Sequence, residues 1–204
     1  MRSPMWFVVA VLCVVAGTPS VALAQGNVDV RWEKNATVRI SQGRNVSRID
    51  LREDIIGCLD DVFDGSSKKR FGSGLRKTQV LDVVDSDGQH YVLLSAATAP
   101  NCNVQGRCGA GDNDVTLIWL QVGADLAVIR KQVFAAEDCI AARWIEGMPD
   151  DWDSTLKLSA GSLRLSFTED VYDRTADTLQ EVTGQAVYDR QSASEGIRIA
   201  RAPK

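Results

Sequence analysis

The sequence predicts a mainly β protein: an antiparallel meander that closes into a sandwich or barrel, with one short N-terminal α-helix. Two observations carry this prediction. From residue 78 onward, apolar segments of strand length alternate with turns rich in Gly, Asp and Ser. Only one segment, near residue 55, has apolar residues at helical spacing. Successive hairpins with little helix are typical of antiparallel all-β folds.

The first 24 residues are predicted to be a signal peptide. Arg2 is followed by an apolar stretch at residues 5–16, and residues 21–24 have the small–x–small pattern of a cleavage site. The alternative is a membrane anchor, but this apolar stretch is shorter than the roughly 20 residues that a span needs. We expect the mature chain to begin near Gln25 and to carry no transmembrane segment after cleavage.

The mature chain is expected to form a single β-rich domain over residues 25–204, with a possible subdomain boundary at residues 64–77. The whole chain has a formal charge of −4, and removing the leader takes away Arg2 and no acid. A mildly acidic domain lacks the basic face that displaces counterions from phosphates, so we expect no nucleic-acid partner.

The cysteines point to an oxidising compartment, either secreted or periplasmic. Of five cysteines, Cys13 leaves with the leader, and the remaining four allow three disulfide pairings: Cys58, Cys102, Cys108 and Cys139. We favour Cys102 with Cys108, across a short loop, and Cys58 with Cys139. A zinc site is the competing interpretation, but no C-x-x-C pair is present and His90 is the only histidine. We therefore expect no metal and no cofactor.

The N-terminal part combines strands with the predicted helix. Residues 28–40 alternate loosely and indicate one or two strands. In residues 50–63 the apolar side chains form one helical stripe, with Asp50 as its cap and Gly65 as its end. The stripe consists of Leu51, Ile55, Leu59, Val62 and Phe63.

The remainder is predicted to form four hairpins. They pair residues 79–84 with 89–97, 115–122 with 126–134, 156–158 with 163–167, and 178–189 with 196–201. The first has Gly88 in its turn, where a positive φ is needed. The third alternates most clearly between apolar and polar residues, which predicts a half-buried pair.

No motif indicates a catalytic mechanism. His90 shares a predicted strand face with Val92 and Leu94, which favours a hydrogen-bonded, half-buried ring over a triad histidine. Two carboxylates of a glycosidase are available among many acids, including Glu146 and Glu169. With 27 acidic residues in the chain, their proximity carries little information.

A basic segment is the sharpest charge asymmetry in this acidic chain. Five basic residues fall within residues 68–77: Lys68, Lys69, Arg70, Arg76 and Lys77. With Phe71 among them, the segment could bind an anionic polymer or an acidic protein face. The alternative is an ordinary solvated loop.

A second candidate site combines tryptophan with carboxylates. Trp144 and Trp152 bracket a turn-rich loop that contains Asp150 and Asp151. An exposed indole beside carboxylates is common in sugar- and peptide-binding loops, although a Trp can equally cover a sheet edge.

These observations predict an exported, periplasmic or secreted, β-rich binding or envelope-associated protein with no evident catalytic motif. One alternative is an envelope hydrolase that uses carboxylates near Trp152. Another is a structural subunit of an envelope assembly.

Overall fold

The chain is mainly β, as predicted, and its strand ladders are antiparallel throughout the described residues. A computed structural model describes residues 28–103, 108, 113–146, 156–175 and 177–203. The N-terminal sheet has the order β1 (Asp29–Trp32), β2 (Thr37–Gln42), β3 (Asn45–Asp50). A two-stranded ribbon follows, made of β4 (Asp61–Phe63) and β5 (Arg70–Ser73).

Two four-stranded sheets complete the fold, each with its strands in sequence order. The central sheet contains β6 (Leu75–Ser86), β7 (Gln89–Thr98), β8 (Asp114–Val122) and β9 (Val128–Glu137). The C-terminal sheet contains β10 (Arg143–Ile145), β11 (Ser162–Asp173), β12 (Thr178–Asp189) and β13 (Arg198–Pro203). A 3₁₀ segment, Arg190–Glu195, links β12 to β13.

The central sheet is covered on both faces, and its sequence reflects this. Val92 and Leu94 of β7 pack with Ile40 of the N-terminal sheet. Leu93, between them, points to the opposite side and packs with Phe167 of the C-terminal sheet. A strand buried on both faces needs a continuous apolar run rather than an alternating one, and β7 has such a run. The fold is therefore a stack of three β layers.

The first predicted hairpin is confirmed, turn included. Ser86 pairs with Gln89, so Asp87 and Gly88 form a two-residue loop. Both have positive φ, 53° and 73°, as a type I′ turn requires. The predicted pairings of residues 115–122 with 126–134 and of 178–189 with 196–201 are also present, as β8–β9 and β12–β13.

The predicted helix at residues 50–63 is wrong. Its first residue ends β3 and its last three residues form β4. The apolar stripe is divided: Leu51 packs below the central sheet, whereas Val62 lies in a separate cluster around Cys58. Gly57 interrupts the segment with φ +81°, and a Cβ there would lie 2.4 Å from Thr98 Oγ1. The sharp backbone turn at this glycine is incompatible with a continuous helix.

The third predicted hairpin is wrong in its partners. Only one isolated bridge, Ser159 with Ser162, joins the two segments. Strand β11 pairs instead with β10 and β12, and Leu163 lies opposite Tyr188. The apolar alternation correctly marked a strand with one buried face, but alternation alone does not identify the neighbouring strand.

All four cysteines within the described residues form disulfides, but with partners other than those predicted. Cys58 bonds Cys102 with a Cα–Cα distance of 5.1 Å, and Cys108 bonds Cys139 with a Cα–Cα distance of 6.0 Å. Backbone pairing explains why the partners differ from those predicted. Cys58 forms a β-bridge with Ala99, so it lies next to the end of β7 and close to Cys102. Each bond closes a loop in the unfolded chain, and the chain-entropy model gives about 4 kcal/mol of stabilisation for each.

Two further expectations concern closure and membranes. The strands of the described residues stack as open layers and form no closed barrel, so that alternative is not observed. Within the same ranges, no helix has the length and apolar character needed to cross a membrane.

Gly184 supplies a test of this packing. A Cβ at Gly184 would meet Phe167 Cζ at 2.2 Å, and Phe167 is fully buried against Phe134. We expect Gly184→Ala to lower the free energy of unfolding by about 1–3 kcal/mol, measured by urea denaturation, because the ring has no room to move. In a Phe167→Leu background the same change should cost much less. Equal costs in both backgrounds would contradict the assigned strand register.

Candidate functional site

The predicted basic segment lies on the β4–β5 ribbon and the start of the central sheet. Lys68 and Lys69 are exposed in the turn, and Arg70 begins β5 with its guanidinium 2.6 Å from Asp61. Phe71 follows in β5. Arg76 and Lys77 lie in β6. Part of the predicted positive charge is therefore neutralised within the ribbon.

An ordered turn presents the two lysines. The Asp64 carboxylate accepts hydrogen bonds from the hydroxyls of Ser66 and Ser67, each at 2.7 Å. The hydrogen bond from Ser67 contributes most and that from Ser66 next, and together they lower the pKa of Asp64 to about 2. Lys68 follows with a φ of 55°, a left-handed conformation that sharpens the turn. The loop is a built turn rather than an unstructured connection.

The second predicted site is only partly described. Trp144 lies in β10 with 45% of its surface exposed. Asp150, Asp151 and Trp152 lie outside the described residues. The basic segment and Trp144 belong to different sheets.

Trp144 shares a sheet face with an open groove that the sequence did not predict. The groove crosses the outer face of the C-terminal sheet, the face turned away from the central sheet, and has a volume of about 480 Å³. We call it the outer-face groove. It is lined by Glu146, Ser166, Thr183, Gly184, Gln185, Ala200, Arg201 and Ala202.

Strand register places Trp144 on the same face as the groove. Trp144 pairs with Thr168, Thr168 with Thr183, and Thr183 with Ala202. Directly paired residues of antiparallel strands point to the same face, so these four side chains form one row across the sheet. A neighbouring row runs through Ser166, which pairs with Gln185 and through it with Ala200.

The groove is shallow because its floor consists of small residues. Ala200 and Ala202 occupy the outward positions of β13, and Ser166 and Thr183 occupy those of β11 and β12. On the inward face of the sheet, the ring of Phe167 packs directly against Gly184, so the core begins immediately below the groove. The outward surface thus combines small apolar residues with polar ones, while the surface below it is core.

A buried ion-pair cluster ties the strands together under the groove. Glu169 is only 5% exposed. Its Oε2 accepts from Arg143 Nε at 2.8 Å, and its Oε1 accepts from Arg201 Nε at 2.5 Å. The Arg143 guanidinium also lies over the rings of Phe134 and Phe167, at 5.2 and 5.4 Å. One carboxylate therefore joins β10, β11 and β13.

The two arginines keep Glu169 ionised. Burial raises its pKa, but the hydrogen bonds and charges of Arg143 and Arg201 together outweigh burial, so the pKa is lowered overall. An ionised carboxylate held on both sides is unsuited to act as a proton donor. Glu169 therefore does not fit the proton donor of a glycosidase pair, and its contacts hold three strands of the sheet together.

His90 lies in the core rather than in the groove. Its ring is 3% exposed, and its Nδ1 is 2.6 Å from Asp85 Oδ1 across the β6–β7 pair. The predicted hydrogen bond is present, although the ring is buried rather than half-buried.

Neither a cluster of metal ligands nor a match to a known protein identifies a function for this chain. Among the residues with a described position, no cluster of three or more His, Cys, Asp or Glu could hold a metal ion. No protein-family model, curated protein or solved structure matches this chain.

The groove residues were missed because each is an unremarkable polar or small residue. The one signal in the sequence was the polar alternation within residues 163–167, which marks an outward face but does not show which residues lie beside it. Only pairing of four strands brings Ser166, Thr183 and Ala200 to one surface.

The Glu169 cluster predicts a pH-dependent stability. Glu169→Gln should lower the free energy of unfolding at pH 7 by about 3 kcal/mol, because it removes the partner of two arginines. A lowered folded-state pKa stabilises the fold above the usual value of 4.5, and that stability is lost as the pH falls through the folded pKa.

Urea denaturation of wild type and variant from pH 7 to pH 3 checks this expectation. The difference between the two proteins should shrink below about pH 4.5. Asp170→Asn, at the exposed neighbouring position, is the control and should show little difference at any pH. A Glu169→Gln deficit that is unchanged by pH would contradict the assignment.

Proposed function

We propose that this protein is an exported binding protein whose outer-face groove holds an extended, hydroxyl-rich chain such as a polysaccharide segment. The observation that carries the proposal is the exposed indole of Trp144 on the same sheet face as an open groove whose floor combines small apolar with polar residues. This combination provides stacking area and hydrogen-bonding groups together.

The polar groups of the groove suit a ligand that both donates and accepts hydrogen bonds. Ser166 and Thr183 contribute hydroxyls, Gln185 an amide, and Glu146 a carboxylate that accepts. Sugar hydroxyls bond with all of these groups. The apolar face of a sugar ring matches an exposed tryptophan, as the flat indole loses little entropy on contact.

The size and orientation of the groove favour a chain over a small molecule. Its lining residues lie on β11, β12 and β13, together with Glu146, which follows β10. Four strands at about 4.8 Å spacing extend over about 15 Å, and the groove is open rather than enclosed. An enclosed cavity would instead be expected for a small ligand.

Rigid strands support the site. Glu146 is placed by a backbone hydrogen bond from its N–H to Ser166 O at 2.9 Å. Glu169 joins three of the four strands directly beneath. Binding groups on strands lose less conformational freedom than groups on loops, which favours affinity.

Export is part of the proposal. The two disulfides fit an extracellular or otherwise oxidising compartment. The signal peptide at residues 1–24 remains a prediction from sequence. The hydrolase alternative depends on carboxylates near Trp152, outside the described residues, and also remains a sequence-based hypothesis.

Substitutions at the groove test the binding proposal. Trp144→Ala should weaken binding up to about tenfold through lost stacking, and Thr183→Arg should block the groove by filling it. The measurement is affinity electrophoresis of the mature protein against a panel of neutral, acidic and amino-sugar polysaccharides. Ile129→Ala in β9, an equally exposed apolar side chain on another sheet, is the matched control.

Retardation of the wild type by a polysaccharide, lost in Thr183→Arg and retained in Ile129→Ala, is the expected result. No retardation of the folded wild type by any member of the panel, or equal retardation of Thr183→Arg, would overturn the proposal.

Export has a separate test in the intact mass of the protein recovered outside the cytoplasm. We expect an N-terminus near Gln25 and no free thiol, because all four remaining cysteines are bonded. Peptide mapping without reduction should link Cys58 to Cys102 and Cys108 to Cys139. Retention of Met1 would contradict export by cleavage.

A further inference from the structure

The end of the β11–β12 hairpin projects beyond the rest of its sheet. The last pair between β10 and β11 is Arg143 with Glu169, and the last between β12 and β13 is Val182 with Pro203. Residues 170–173 of β11 and 178–181 of β12 therefore continue as a two-stranded ribbon that pairs with no other described strand, with residues 174–177 between them in the sequence. We call this segment the acidic ribbon.

The acidic ribbon exposes apolar side chains that its own fold leaves uncovered. Tyr172 and Leu179 are paired across the two strands, with 53% and 68% of their surfaces exposed. Val171, on the other face, is 42% exposed. A two-stranded hairpin is marginally stable alone in water, so an exposed apolar pair on one indicates a contact surface.

The charge of the acidic ribbon defines the surface that it fits. It contains four acids, Asp170, Asp173, Asp177 and Glu181, and one base, Arg174, for a formal charge of −3. The hydroxyl of Tyr172 bonds Asp177, which holds the ring beside the carboxylates. A complementary surface is therefore basic with an exposed apolar group.

The same chain carries such a surface. Residues 61–77, from β4 to the start of β6, have five bases and two acids, for a formal charge of +3. We call this segment the basic ribbon. Phe63 is 42% exposed within it, and Lys68 and Lys69 are exposed in its turn. Its charge is opposite in sign and equal in magnitude to that of the acidic ribbon, and it likewise exposes an aromatic side chain.

We propose that the partner of the acidic ribbon is the basic ribbon of a second copy of this chain. Tyr172 and Leu179 of one copy would cover Phe63 of the next, and the flanking charges would pair. The two surfaces of this contact differ, so it is a head-to-tail contact that forms rings or open chains rather than a twofold dimer. This inference is independent of the outer-face groove.

Charge reversal on each ribbon provides the test. Lys68→Glu with Lys69→Glu makes both ribbons acidic, and Asp170→Lys with Glu181→Lys makes both basic. Each double variant alone should associate at least tenfold more weakly than wild type, whereas an equimolar mixture of the two should associate again. Arg164→Glu, at an exposed position outside both ribbons, is the control and should associate like wild type.

The measurement is sedimentation velocity of the mature, disulfide-bonded chain over a range of concentrations. Wild type should self-associate at low salt and become monomeric at about 1 M salt, where the Debye length is about 3 Å. Circular dichroism verifies that each variant is folded. Leu179→Ser should weaken association without changing its salt dependence.

A wild type that is monomeric at every concentration in low salt would overturn the proposal. So would a mixture of the two charge-reversed variants that stays monomeric although each variant is folded. Association of either variant alone as strongly as wild type would equally exclude this contact.

Discussion

Burial of the central sheet on both faces is the constraint on which the remaining structure depends. Strand β7 has no residue of its apolar run facing water, so a second layer is needed on each side. Polar groups that enter this interior must find partners within it. The indole nitrogen of Trp119 donates to Ala193 O at 2.9 Å, and the Tyr188 hydroxyl donates to Asp82 at 2.9 Å. Burial, followed by the Asp82 carboxylate, raises the pKa of Tyr188, so the hydroxyl keeps its proton and remains a donor.

These polar contacts join layers rather than neighbours within a layer. Tyr188 belongs to the C-terminal sheet and Asp82 to the central sheet, so their bond aligns the two sheets. Arg190 lies 3.2 Å from the same carboxylate and gives it a second partner. An apolar interface alone tolerates sliding, whereas a buried hydrogen bond specifies one arrangement.

The C-terminal sheet, in contrast, commits only one face to the core. Phe167 and Glu169 face inward, and the residues between and beside them face outward. The outward face is therefore available for small and polar residues that the core would not accept. The proposed site follows from this division: the buried face supplies rigidity and the outer face supplies chemistry. The two ribbons place opposite charges on separate segments of a chain with a net charge of only −4.

The sequence was sufficient to predict the antiparallel β class, three of the strand pairings and the turn at Gly88, because alternation and turn chemistry act over a few neighbouring residues. It also marked the basic segment and Trp144 as candidates, whereas the exposure of Trp144 was decided only by the fold. The disulfide partners, the division of residues 50–63 and the outer-face groove required the folded chain. Each of these depends on which strands become neighbours, as when Ser166 meets Thr183 and Ala200, and such pairing is set by burial across distant segments that local pattern does not encode.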